Sequence, residues 1–463
     1  MPFPEKLASR FGAVCLAFMV AACGQAVPSP SIAPATTGPA TTGPATTSPL
    51  VGPTTAPPTT APSPTRDEGW RADIAALVPG MAAIHPNLTH SVSRAELDAA
   101  AAALSATVSG ATDDELMVGV LRVVAMVSSA GCDAHTGAFV WGSGTYPVDS
   151  LPLRLWLFEN EEGADDIVIV DALPPYEDLI GARIDTIEGH ATSDVIAAID
   201  PIVPRDNSQT VRLLLPRFVL MPQILRGLGL ADDGPIALAV TPVDGSATNV
   251  EVEPVPMADY NAWAGPYGLH LPRDPDVLYL SRIDDALWWK LLDDGETLYV
   301  QYNRVDRLPA TLVTDLENVL DDASIARVVL DIRHNYGGEL SALNAMTPIL
   351  VAAARGEPNH LFVFIARNTF SAGSLLAARL ERDAAATLIG EPTGGCPTIW
   401  SDPTDVPLSW SGITVSVAGD TAVGVDPNDQ RLTVEPSVEA VLTVDDWLGG
   451  IDPALELFDV EAP

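Results

Sequence analysis

Ser371 stands in the stretch RNTFSAGSLLAARL, where an apolar run gives way to a helix-forming segment. A serine at a strand-to-helix turn lies at the positive end of the helix, beside backbone N–H groups that have no partner within it. Such groups can hold the oxyanion that forms when a carbonyl is attacked. The position suits a nucleophile; it also suits a plain helix cap, a common role for serine. A nucleophilic serine needs a base, and the chain limits the choice. Lysine occurs only at Lys6 and Lys290, so the S-x-x-K pattern is absent and a Ser/Lys pair would have to use Lys290, in ALWWKLL. The histidines are His85, His90, His135, His190, His270, His334 and His360, and all precede Ser371. The Ser-then-His order of the α/β-hydrolases is therefore excluded. A serine paired with an upstream histidine remains. His135, in CDAHTG, and His334, in DIRHNYGG beside a glycine turn, stand out. No H-E-x-x-H or C-x-x-C spacing occurs, so neither a metal site nor a cofactor is expected.

These residues need elements to position them. From 67 to 149 the pattern is helical. Ser93 with Glu96 forms a capping box, and Thr112 caps a helix with Leu116, Val120 and Val124 on one face. Residues 150–280 alternate like strands, with Gly, Pro and Asp breaks, and SDVIAAIDPI reads as a short helix capped by Ser193. Beyond 281, strands and helices alternate at a spacing that implies a largely parallel sheet with helical crossovers. Functional groups in such sheets gather at the carboxyl ends of strands, where DIRHNYGG and RNTFSAG both fall.

The N-terminus has a different character. Lys6 and Arg10 precede the short apolar run FGAVCLAFMVAA, an export signal too short to span a membrane permanently. Val20-Ala21-Ala22-Cys23 resembles a bacterial lipobox, which makes 1–22 a lipoprotein signal peptide and Cys23 the lipidated first residue; an ordinary secretory signal is the alternative. Residues 23–66, rich in Pro, Thr, Ser, Ala and Gly, form a spacer that cannot bury a core. The formal charge of −37 argues against nucleic acid as a partner. With Cys15 removed and Cys23 lipidated, Cys132 and Cys396 are left, and two thiols in an exported chain suggest one disulfide.

VVLDIRHNYGG followed by NTFSAGSLLAARLERDAAATLIGEPTGG resembles the carboxyl-terminal processing, or tail-specific, serine protease family. AGCDAHTGAF resembles the segment around the histidine in its tricorn-core and retinoid-binding-protein-like branch, and GARIDTIEGHATSDVIAAI resembles part of a PDZ-like module interrupted by an insertion around 205–233. The resemblance spans roughly 70–455. It implies an α/β catalytic domain of the Clp protease/crotonase-like spiral-sheet kind over 281–460, a PDZ-like β-rich module over 150–280 and an N-terminal helical subdomain over 67–149. It puts the nucleophile at Ser371, the oxyanion hole at Ala372 with Gly337 and Gly338, and the base at His135. The lysine-using branch has its base 25 residues after the serine, at the position of Cys396 here, so the resemblance points to the histidine-using branch. That branch has a serine beside the histidine, where this chain has Ala134, and a late carboxylate shortly before VEPSVE. Asp429 is the candidate there, with Asp426 near and Gln430 in the aligned region. If the fold follows the family, Cys132 and Cys396 approach the same serine and can pair.

The implied protein is a lipid-anchored peptidase of the cell envelope, without cofactor, that cleaves extended peptides or protein tails through Ser371 and His135. A peptide-binding protein that keeps the fold without turnover is the alternative, and a lipid or retinoid carrier a third reading.

Overall fold

The computed structural model describes residues 63–461 except 142–145, 244, 266–268, 293 and 357–359, with the backbone alone for 459–461. The expected signal segment, Cys23 and nearly all of the expected spacer lie outside the described residues. Three helices come first: α1 (Arg66–Ala82), α2 (Arg94–Thr107) and α3 (Asp113–Ala125). Each begins with a reciprocal capping box, from Thr65 and Glu68, Ser93 and Glu96, and Thr112 and Glu115. Loss of such a cap costs about 1 kcal/mol. After α3 the chain turns through Cys132–His135 into the short strand β1 (Gly137–Ala138).

An antiparallel sheet follows. Its strands β2 (Leu153–Glu159), β3 (Asp165–Ala172), β4 (Arg183–Ile187), β5 (Ile236–Thr241) and β6 (Thr248–Val252) lie in sequence order. Between β4 and β5 come α4 (Thr192–Ile199), α5 (Ser208–Val219) and α6 (Pro222–Gly227). Ser193 lies inside α4 rather than capping it; the cap position is Ala191, which has no side chain that can accept an N–H. Segment 205–233, expected as an insertion, is α5, α6 and their flanking loops. One hydrophobic core runs from Trp70 through α3 and the sheet to Val417, so the helices and the β-rich part share a single interior across residue 150.

The third part is a sheet in the order β7 (Leu287–Leu291), β8 (Thr297–Tyr302), β9 (Arg327–Asp331), β10 (Leu361–Ile365), β11 (Thr387–Gly390) and, at the far edge, β14 (Val438–Glu439). The β7–β8 pair is antiparallel and every other pairing is parallel. Its crossovers include α7 (Ala310–Leu320), α8 (Leu340–Ala353) and α9 (Ala372–Asp383). β10 is buried at every residue, as expected of a parallel strand covered on both faces. Lys290 is exposed on the edge strand β7, far from any role in a buried dyad. A hairpin, β12 (Thr398–Pro407) and β13 (Thr414–Val423), leaves this part and pairs with β1, with β13 in the middle. That pairing carries the segment after His135 to the sheet bearing Ser371.

Two buried arginines hold the parts in register. Arg333 contacts Asp331 at 2.6 Å and Asp452 at 2.7 Å, tying the C-terminal region to the end of β9. Arg367 pairs with Glu391 and donates to the Leu157 carbonyl, joining the loop before Ser371 to β2. Among the described residues no helix is long and apolar enough to cross a membrane.

Candidate active site

Ser371 sits at the N-terminus of α9 with φ 51° and ψ −126°, a conformation that L residues rarely adopt. It occupies the N-cap position, yet its side chain makes no capping bond. The hydroxyl instead lies 3.1 Å from His135 Nε2, a contact between residues 236 apart in sequence. The plain-cap reading therefore fails for this serine. Backbone strain at a reactive residue persists only where its surroundings fix it. Here the Phe370 N–H donates to the Asn335 carbonyl at 3.0 Å, and Ser374 Oγ donates toward the Ser371 carbonyl at 2.8 Å.

The His135 ring stacks on Phe370, with centroids 5.1 Å apart. His135 is half-buried. Burial pushes its pKa below the ordinary 6.5, against the pull of the Asp133 and Asp402 carboxylates and the Trp400 backbone. The ring is thus neutral at pH 7. To take the Ser371 proton at Nε2 it must carry its own proton on Nδ1. That nitrogen has no hydrogen-bond partner of ordinary geometry among the described residues. The negative charge that favours a developing imidazolium comes from Asp133 and Asp402 through space.

The glycine turn lies against the serine. A Cβ on Gly337, whose φ is +100°, would sit 2.7 Å from both the Ala372 nitrogen and Ser371 Cβ. Only glycine lets this strand end approach so closely. The Gly337 N–H, however, donates to Asn335 Oδ1 at 2.9 Å, which removes it from the expected oxyanion donors. The Gly337 carbonyl and the Glu339 N–H bond Val305, each at 2.8 Å, on either side of Gly338. The N–H of Gly338 therefore points away from Val305, and neither it nor that of Ala372 meets an acceptor among the described residues. These two remain as donors, at the positive end of a 12-residue helix.

Asp429 is not brought to the imidazole. Arg431 takes both its oxygens, at 2.9 to 3.2 Å, and holds its carboxyl below the usual range. The same guanidinium grips Glu381, so this is a surface ion-pair cluster. Sequence placed a carboxylate near here by alignment, but an arginine two residues on captures it. Cys132 and Cys396 are joined, with Cα atoms 5.5 Å apart. His334 is buried away from Ser371, stacked on Tyr279, and burial lowers its pKa to about 3.

A cluster that spacing did not reveal lies behind His135. His85, His90 and Asp133 bring three possible metal-ligand atoms within 4.8 Å of one another. Their hydrogen bonds favour another role. His85 Nδ1 accepts the Asn87 N–H at 3.0 Å, so its proton is on Nε2, which donates to Asp133 Oδ2 at 3.1 Å. Asp133, held ionised, can only accept, so His90 Nε2 donates to its Oδ2 at 3.0 Å and His90 Nδ1 accepts from Ser91 Oγ at 2.9 Å. A metal-binding imidazole needs a lone pair on the ligating nitrogen and a proton given outward from the other. The surroundings of these two rings impose the reverse, and the residues do not fit a metal ion. They hold the Asp133 carboxylate and keep it ionised: the two imidazoles outweigh burial and depress its pKa.

No family model matches the sequence, and no curated protein matches it. Solved structures do. Mature CPAF complexed with lactacystin is 12% identical, with a TM-score of 0.57 over 86% of this chain and 98% of that one. A point mutant of CPAF is 11% identical, with a TM-score of 0.59 over 85% and 96%. Mature CPAF gives 0.55 at 11% identity, over 85% and 96%. At these identities the likeness establishes a shared mixed α/β fold over nearly the whole of those chains.

Proposed function

We propose that the protein is a serine peptidase that cleaves peptide bonds through Ser371 and His135. The observation that carries this reading is the 3.1 Å contact between Ser371 Oγ and His135 Nε2, beside two unpaired backbone donors. His135 Nε2 takes the hydroxyl proton while Oγ attacks the scissile carbonyl, and the N–H groups of Ala372 and Gly338 hold the oxyanion. The imidazolium then gives its proton to the leaving amine, and the acyl-enzyme forms. His135 next takes a proton from water, hydroxide adds to the acyl carbon, and Ser371 leaves with that proton restored. The likeness in fold to CPAF and the resemblance to the carboxyl-terminal processing proteases support an extended peptide or protein tail as substrate. The sheet β2–β6 fits the role of the PDZ-like module, offering a strand edge to such a chain.

A fluorophosphonate probe tests the reading. Labelling should vanish in Ser371→Ala and weaken by at least about 100-fold in His135→Ala. A folded wild-type protein that never labels would make this a binding protein on a peptidase fold. Lipid anchoring at Cys23, read from the lipobox, belongs to the same proposal. The mass of the membrane-extracted N-terminal peptide checks it, and an unmodified or uncleaved N-terminus would refute it.

A further inference from the structure

The segment before α5 supplies a residue that touches both halves of the site. Asp206 is fully buried. Its Oδ1 accepts the Ala134 N–H at 2.7 Å, immediately before the base. Its Oδ2 accepts the Cys396 N–H at 3.3 Å, and its backbone carbonyl accepts the Cys132 N–H at 2.9 Å. The turn bearing Cys396 is in turn seated on the nucleophile. Ser374 Oγ reaches both the Cys396 carbonyl, at 3.1 Å, and the Ser371 carbonyl, at 2.8 Å. A Cβ on Gly395 would lie 3.0 Å from the Ser371 nitrogen. Neighbours of Asp206 fasten the same turn: Asn207 Nδ2 donates to the Thr393 carbonyl at 3.0 Å, and Thr210 Oγ1 donates to the Gly394 carbonyl. A series of polar contacts thus runs from Ser371 through Ser374, whose one hydroxyl proton serves either carbonyl, and through Cys396 and Asp206 to Ala134 and His135.

We propose that Asp206 is a positioning residue for the Ser371–His135 pair: one carboxylate grips the segment carrying the base and the turn packed on the nucleophile, and so sets their separation. This rests on the Ser/His reading of the site. The disulfide joins the same two segments covalently, but it fixes Cys132, three residues from the base. Asp206 fixes the peptide adjoining it. A carboxylate suits the task because its two oxygens can each take an amide, and bonds to an ionised acceptor are the stronger kind.

The groups facing Asp206 are few. Arg205, beside it, is turned to Asp200, and Arg212 on α5 is paired with Asp165. From the base segment come Asp133 and His135, and the turn Thr393–Cys396 brings no titratable side chain. Burial first, with the Asp133 charge, pushes the Asp206 carboxyl up to about 7, against the pull of its two amide donors. Protonation turns one of these acceptor oxygens into a donor, so the spacing the carboxyl sets changes as pH falls through neutrality.

The test uses the purified protein without its signal segment, with two readouts. Asp206→Asn keeps the shape but replaces an acceptor oxygen with an amino group. Amide exchange should accelerate together in the peptides around Ala134 and around Cys396, with the circular dichroism spectrum unchanged. Fluorophosphonate labelling should slow by about 10- to 100-fold. Its acidic limb, near 7 in the wild type, should move below 6.5, where His135 governs it. A merely structural role would not move that limb. Unchanged exchange in both peptides, or wild-type labelling at every pH, overturns the proposal. A wild type that never labels speaks against the Ser/His reading alone, and exchange still decides the clamp. If Asp206→Asn does not fold, the wild type above and below pH 7 carries the test. Exchange in both peptides should change together across pH 7 after correction for intrinsic rates, and no joint change overturns the idea.

Discussion

The two halves of the site are built in opposite ways. On the nucleophile side, Asn335 and the glycine turn follow β9, Ser371 and Ser374 follow the neighbouring parallel strand β10 at the start of α9, and backbone bonds join the two segments. On the base side, His135 comes from 236 residues away, on a turn with no sheet of its own beyond the two-residue strand β1. It is held from outside, by the disulfide, Asp206, the Trp400 N–H on the Cys132 carbonyl at 2.9 Å, and Asp133 locked by two histidines. Parallel strand ends present a reactive residue with little further support. A base on an irregular loop must be fixed by bonds from several distant segments, each adding an ordering cost.

The sharpest way to break this contrast is Gly337→Ala. The added Cβ meets the Ala372 nitrogen and Ser371 at 2.7 Å, on a backbone of positive φ. Displacing the oxyanion donors should cost about 100- to 1,000-fold in labelling rate. Strain should remove about 1–3 kcal/mol in urea unfolding. Activity near wild type would show that the nucleophile side is more yielding than its packing implies.

Next comes the double replacement Cys132→Ser with Cys396→Ser. It opens a link between residues 264 apart, and should lower stability by about 2–5 kcal/mol. With Asp206 intact, the labelling rate should fall by less than in Asp206→Asn. A larger fall would make the disulfide, not the carboxylate, the element that sets the base.

The smallest effects are in pH. The His135 pKa is depressed by burial, so the stability this residue contributes is present above 6.5 and is lost as pH falls. The Asp206 pKa is raised, from 3.8 to about 7, so its contribution has the opposite sign: fully present below 3.8 and lost as pH rises toward 7. His135→Phe should therefore resist acid unfolding better than the wild type. Asp206→Asn should gain stability at pH 8 relative to the wild type more than at pH 4. Parallel unfolding curves at both pH values for either variant would contradict the assignment.

Much of the geometry around Ser371 was legible in the sequence because its motifs are local. DIRHNYGG and NTFSAG each carry the turn residues their backbones demand. The helix caps Ser93 and Thr112 were legible for the same reason, while Ser193 was not, because the helix begins a residue earlier. Asp429 misled because alignment places a residue on the chain but says nothing of Arg431, which captures it. Gly337 was half right: its missing side chain is needed, but its N–H is already taken by Asn335.

The sequence by itself determined which chemistry was open. It has one lysine beyond Lys6, no histidine after Ser371, and a cysteine where the lysine-using proteases it resembles have their base. Counts and order settle such exclusions because they hold in any fold. Only the tertiary structure decided what holds the base in place. Asp206, His85, His90 and Asp133 are ordinary residues at unrelated spacings, and they gain a role only when folding removes water from around them. A buried carboxylate must then find donors, and those it finds at Asp206 are the amides on either side of the site.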